Sequence, residues 1–204
     1  MKLYPMKFDP IYQYRIWGGR RLTNLLSKPL PPDDPIGEAW ILSDREDHSN
    51  KVTAGDLKGK TISHLMEHHP RQLMGKLYGK FKKFPLLLKF LDCKQVLSVQ
   101  VHPSDKQKKY IPKGDTGKTE SWVVLEAGED AVIYAGLKPG IDEEELRSLL
   151  MKNKVADALA HFKPHVGDGV LIKAGTVHTL GGPVRAAVVA FYACNCRGSL
   201  VFLK

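Results

Sequence analysis

Three segments of the chain carry side chains able to do metal or acid–base chemistry. In "SVQVHPSDKQ", Gln100 and His102 stand two residues apart. On a strand, whose side chains alternate between faces, they share one surface while Val99 and Val101 take the other. In "GDTGKTESWVVLEAG", Glu120 stands two residues after Lys118 at the entrance of a strand-like run, and in "LIKAGTVHTLGG", His178 follows a Gly turn. Two imidazoles and a carboxylate, with the Gln100 amide as an oxygen donor, suit a divalent transition metal, with zinc the natural ion where no redox chemistry is needed. The same donors also serve non-haem Fe(II), so residue types alone leave the ion open. A further pair, His64 and His68 in "TISHLMEHHPRQLMG", has the i, i+4 spacing of a helical metal site. It has no acidic partner at a matching offset and reads as an exposed helix face.

Elements distant in the sequence have to bring these residues together. From Tyr4 to Trp40 the chain is rich in Pro, Gly and aromatic residues, with "WGGRR" and "PLPPDDPIGEAW" marking turns and irregular structure. Thr61 to Gly75 reads as one or two short helices interrupted at Pro70. From Phe84 onward, "FPLLLKFLDC", "QVLSVQVHP", "ESWVVLEAG" and "AVIYAGLKPG" are apolar runs of strand length closed by Pro, Gly or charge. "DEEELRSLLMKNKVADALAHF" interrupts them with helical character, its acidic start suiting the positive end of a helix dipole. Short strands separated by Gly turns then resume. The expected fold is mainly β, a sandwich or barrel whose interior is a common ligand site, with short helical insertions. A single domain over residues 1–204 is expected, with an irregular and helical elaboration over 1–83, core strands over 84–204 and a helical insertion near 142–161.

Composition narrows the function classes. The chain has 204 residues, 31 Lys and Arg against 22 Asp and Glu, and a net charge of +9. Its basic residues are dispersed, with small clusters such as "KFKKF", and no nucleic-acid-binding signature accompanies them, so nucleic acid is not the expected partner. A small anionic substrate suits such a surface as well as a solvated basic face does. No apolar run reaches the ~20 residues needed to span a bilayer, and "MKLYPMKFDP" lacks the apolar core of a signal peptide, so the cytoplasm is the expected location. Cys93, Cys194 and Cys196 make no disulfide framework, and the Cys194–Cys196 pair lacks the second pair of a zinc ribbon and reads as structural.

Several of these segments resemble one family. "FPLLLKFLDCKQVLSVQVHPSD", "GKTESWVVL" and "IKAGTVHTLGG" are similar to signature segments of the type I mannose-6-phosphate isomerases, or phosphomannose isomerases, zinc-dependent members of the cupin superfamily. The likeness begins with "IWGGRRL" and "IGEAWILSD", keeps its order to about Gly182, and is nearest to the short bacterial branch. It implies a cupin-type jelly roll with one zinc ion per chain, held by His102, Glu120 and His178, with Gln100 a ligand in some branches. It also implies that Lys118 faces the substrate, a sugar phosphate. The implied reaction is aldose–ketose interconversion of mannose 6-phosphate and fructose 6-phosphate through an enediol. The proton-transferring base is not identified by the resemblance, and neither is the oligomeric state.

After Gly182 the chain reads "PVRAAVVAFYACNCRGSLVFLK", which departs from the family pattern. Arg197 falls near the place of a catalytic arginine, in neighbours that do not match the motif. Either this stretch is a divergent replacement that completes the β-sheet, since "AAVVAFYA" and "SLVFLK" have strand-like composition, or it belongs to a shortened member whose activity is impaired. The alternatives to an isomerase are a cupin that binds a sugar or sugar phosphate without turnover and, less favoured by the motifs, an Fe(II) oxygenase.

Overall fold

The structure is a computed structural model that describes residues 4–45, 48–111, 113 and 115–191. Its strands are β1 (Ile11–Gly19), β2 (Ile36–Leu42), β3 (Asp44–Arg45), β4 (His48–Ser49), β5 (Leu86–Cys93), β6 (Thr119–Ala127), β7 (Val132–Leu137), β8 (Leu159–Phe162), β9 (Gly169–Ile172), β10 (His178–Gly181) and β11 (Val184–Phe191). The α-helices are short: α1 (Leu22–Leu26), α2 (Ile62–His68), α3 (Pro70–Met74) and α4 (Glu143–Met151). A six-stranded antiparallel sheet in the order β1-β2-β5-β11-β6-β9 faces a three-stranded sheet, β10-β7-β8. This is the mainly β arrangement that the sequence pattern leads to, of the cupin type that the family resemblance implies. No helix among the described residues is long and apolar enough to cross a membrane.

Alternation builds the core between the sheets. Leu91 and Cys93 of β5, Trp122 and Val124 of β6, and Val184, Ala186 and Val188 of β11 point inward and meet Ile133 of β7 and Leu180 of β10. Every second residue is apolar because every second side chain leaves water. On the outer face, Leu22 of α1 and Leu30 after it pack against Ile36 and Ala39 of β2 and Phe90 of β5. A further cluster forms under α2 and α3, where Val52, Ile62, Leu65 and Met74 pack against Leu42 and Phe84.

Three expectations are corrected. The stretch from Tyr4 to Trp40 is not mainly irregular, because β1 and β2 extend the large sheet beyond β5. Its glycines permit close packing as well as turning. A Cβ on Gly37 would lie 2.5 Å from the Trp17 ring and 2.6 Å from Arg15 Cβ, so only glycine lets β2 pass under β1 there. The run "QVLSVQVHP" is not a strand. It touches β10 through the Leu97 N–H to Leu180 O bond and the paired Gln100 and His178 backbones, at positions three residues apart. The bridge at Gln100 is isolated and residues 101–104 belong to no strand, so Gln100 and His102 do not sit on one face of a strand. The helical insertion is also shorter than expected. α4 ends at Met151, Asn153 takes a left-handed φ of 55°, and a single 3-10 turn over Val155–Ala158 leads straight into β8. Burial of Val155, Ala158 and Leu159 accounts for the change from helix to strand there.

In the other direction, "VRAAVVAF" forms β11 between β5 and β6, in register from Val184 opposite Cys93 to Phe191 opposite Leu86. Residues 192–204, with Cys194, Cys196 and Arg197, lie outside the described residues.

The inward face carries the stability of this sandwich. Ile133→Ala, at a fully buried position on β7, is expected to lower unfolding free energy by about 3 kcal/mol in urea denaturation. Leu171→Ala, at an exposed position on β9, should change it by less than about 0.5 kcal/mol. Equal effects would mean that the two sheets do not pack as described.

Candidate metal centre

Glu120 is the second residue of β6, paired in register with Ala190 of β11 on one side and Ile172 of β9 on the other. The backbone at the carboxylate is therefore fixed by strands on both flanks. His178 opens β10, opposite Ala135 of β7, and its backbone exchanges two 2.9 Å hydrogen bonds with Gln100. His102 comes from the irregular segment that precedes β6, and the Gly175 N–H donates to its carbonyl at 2.7 Å. That bond ties the His102 segment to the turn that delivers His178. Elements far apart in sequence thus converge on one point.

There His102, Glu120 and His178 offer ligand atoms that all lie within 4.8 Å of one another, the one such grouping of three among the described residues. His102 Nε2 is 3.9 Å from Glu120 Oε1, and His178 Nε2 is 3.7 Å from Glu120 Oε2. The imidazole rings stand 5.0 Å apart between centroids. All three side chains are buried, and so is Lys118. Lys118 Nζ lies 2.5 Å from Glu120 Oε1 and 3.1 Å from His102 Nε2. The Trp122 indole N–H donates to Glu120 Oε2 at 3.0 Å.

These groups fit a divalent cation. His178 Nδ1 lies 2.8 Å from the Thr176 carbonyl, which can only accept, so the proton sits on Nδ1 and the Nε2 lone pair faces Glu120. Burial pushes the His178 pKa down. Burial, with the Lys118 charge behind it, takes His102 down to about 3. Both imidazoles are therefore neutral near neutral pH. Burial works against ionisation of Glu120, but Lys118, Lys89 and the two histidines outweigh it and hold the carboxyl well below the usual range. Neutral imidazoles around an ionised carboxylate are the protonation states that metal ligation requires. Burial likewise lowers the Lys118 pKa, against the pull of Glu120.

The site opens on a cavity of about 60 Å³ whose polar lining is Glu38, Lys89, Ser98, Gln100, Glu120, His178 and Thr179. Gln100 therefore reaches the cavity although its segment is not a strand, and its amide Nε2 is 3.4 Å from Ser98 Oγ. Glu38 and Lys89 were not singled out from the sequence. Their signal is a charge at an inward position of an apolar strand, in "IGEAW" and "LLLKF". Glu38 Oε1 accepts from Lys89 Nζ at 3.1 Å, and Oε2 accepts from Arg15 Nη2 at 3.2 Å and from the Trp40 indole at 2.6 Å. Burial opposes its charge, yet these partners bring its pKa down to about 2. His64 and His68 stack with centroids 4.0 Å apart and gather no third ligand among the described residues.

An antiparallel jelly roll with a buried two-histidine, one-carboxylate grouping inside defines a cupin-type protein with a candidate metal site. The chain belongs to the type I phosphomannose isomerases: residues 6–122 match the model of that family's catalytic domain. The match includes Gln100, His102, Lys118 and Glu120 and stops short of His178. Mannose-6-phosphate isomerase ManA of Bacillus subtilis is 37% identical over 91% of this chain and 57% of its own length. Mannose-6-phosphate isomerase of Streptococcus mutans is 35% identical over 82% of this chain and 51% of its own. Among solved structures, the mannose 6-phosphate isomerase of B. subtilis superposes with a TM-score of 0.86 at 29% identity, covering 95% of this chain and 60% of that one. The chain thus spans between about half and three-fifths of the length of these relatives.

Glu38 generates a test of the cavity's electrostatics. Its folded pKa of about 2 lies below the ordinary 4.5, so its contribution to stability is complete above 4.5 and is lost as pH falls through about 2. Glu38→Gln leaves Lys89 and Arg15 without their shared carboxylate and should cost roughly 3 kcal/mol at pH 7. The gap between wild type and variant, followed by urea denaturation, should narrow as pH drops from 4.5 toward about 2. A gap that stays constant would show that the charge of Glu38 contributes nothing.

Proposed function

We propose that the chain carries the metal-binding core of a zinc-dependent aldose–ketose isomerase acting on mannose 6-phosphate and fructose 6-phosphate. The observation that carries this reading is the buried convergence of His102, Glu120 and His178 beside a polar cavity, in a chain of the type I phosphomannose isomerase family. His102, Glu120 and His178 would hold the ion, with the Gln100 amide oxygen as a further donor. Bound there, zinc supplies Lewis acidity for the negative charge that develops on oxygen as a proton moves between C2 and C1, with no change of oxidation state.

The chain's own residues would do the rest. The ammonium groups of Lys118 and Lys89 supply positive charge and donors for the hydroxyl and phosphate oxygens of a sugar phosphate. Trp122, Leu91 and Leu97 wall the cavity with apolar surface, which excludes water and strengthens each of these interactions. Arg197, outside the described residues, is proposed as a further cation for the reacting oxygens. One active site in the cytoplasm with one zinc ion per chain is the simplest form of this proposal.

Metal analysis and turnover test it together. Protein prepared without chelators should hold about one zinc ion per chain and convert mannose 6-phosphate to fructose 6-phosphate. A chelator should abolish conversion and added zinc restore it. His102→Ala and His178→Ala should each lower zinc affinity by roughly a hundredfold or more. Stoichiometric zinc in the double variant would dismiss the proposed donors. Zinc and sugar phosphate bound tightly with no conversion would make the chain a binding module.

A further inference from the structure

Lys118 lies on the same donor atoms that a metal ion would use. Its Nζ is 2.5 Å from Glu120 Oε1 and 3.1 Å from His102 Nε2. It thus sits on one side of the carboxylate, while the other oxygen faces His178 Nε2 at 3.7 Å and accepts from Trp122. Two of the three members of the donor grouping have an ammonium as neighbour. A cation that binds Glu120 and His102 has to share or displace it.

The backbone leaves Lys118 little room to withdraw. Its N–H donates to the Pro103 carbonyl at 3.1 Å, so it is tied to the residue next to His102. The Gly117 N–H donates to Asp105 Oδ1 at 2.7 Å, and a Cβ on Gly117 would lie 2.6 Å from Asp105 N and 2.8 Å from the Pro103 carbonyl. Segments 103–105 and 117–118 are therefore pressed together, and the Lys118 backbone is fixed beside that of His102. The lysine side chain itself is only 9% exposed.

We propose that Lys118 sets the metal affinity of this site by holding Glu120 and His102 against the incoming ion, so that the site binds metal more weakly than its donors alone would. The proposal rests on the reading of His102, Glu120 and His178 as metal donors. Binding costs two Lys118 hydrogen bonds, and the ion then lies beside a positive charge where little water screens their repulsion. The same lysine has a compensating role in the folded chain. Without it the buried Glu120 carboxylate would lose its nearest opposite charge, and an unpaired buried carboxylate is strongly destabilising. Lys118 thus stabilises the fold at the expense of metal affinity.

The test measures zinc affinity by competition with a chromophoric chelator, and Tm with and without zinc, on the whole chain first stripped of metal. Lys118→Met should bind zinc on the order of tenfold more tightly than wild type, whereas Lys118→Arg, which keeps the charge, should stay within about threefold. The stripped Lys118→Met protein should melt below wild type, and zinc should raise its Tm by more than it raises that of wild type. If Lys118→Met does not fold without zinc, Lys118→Gln, which keeps a donor for Glu120 but no charge, provides the same comparison. Zinc binding by the Met or Gln variant equal to or weaker than wild type overturns the proposal while leaving the metal reading standing. Absence of zinc binding by every form, wild type included, overturns that reading itself.

Discussion

Glu120 is an ionised carboxylate buried inside a β-sandwich, and much of the interior is arranged around its charge. Isolated, it would cost more than a domain of this size can spare. It is held instead by Lys118 and by the Trp122 indole N–H, on a strand with partners on both sides. The six-stranded sheet supplies rigidity, and the loops before β6 and β10 supply counter-groups. Each depends on the other: the loops have no fixed path without the sheet, and the sheet could not bury this charge without the loops.

A second buried carboxylate extends the same logic across the sheet. Glu38 on β2 draws Lys89 from β5, Arg15 from β1 and Trp40 from its own strand onto one point. These bonds link the strands at one side of the sheet through side chains as well as backbone. They also bring a second ammonium, Lys89, to the cavity wall beside Glu120. The two carboxylates thus make an alternating pattern of charge across the interior, in which each cation has a partner and both imidazoles stay uncharged. Such a surface suits a polar ligand better than an apolar one.

Closure of the site depends on short contacts between irregular segments. The Gly175 N–H to His102 carbonyl bond, the Lys118 N–H to Pro103 carbonyl bond and the Gln100–His178 pair bind three loops into one wall. None of them belongs to a regular ladder longer than a single bridge. A glycine at position 117 is what lets two of these loops touch. His102 and Lys118 sit on these irregular segments, Glu120 and His178 at the starts of β6 and β10, and the strands limit how far the segments can move.

The sequence by itself determined the residue types and the regular strands. Apolar runs of strand length mark β5, β6, β7 and β11 because a strand buried on one or both faces needs apolar residues whatever its neighbours are. His102, Glu120 and His178 are legible as candidates because few other side chains can hold a transition metal. What only the tertiary structure decided is everything that depends on a partner distant in the chain. The Pro- and Gly-rich start reads as turns until β5 offers β1 and β2 an edge to extend. "QVLSVQVHP" reads as a strand until its bonds to β10 fall three residues apart. Glu38 and Lys89 are ordinary charges in the sequence and become a buried pair only when β2 lies beside β5. That Lys118 lies against both Glu120 and His102 follows only from the fold, which brings the two segments together. Local pattern records how each residue meets water, whereas pairing is a free energy shared between segments that the sequence does not place side by side.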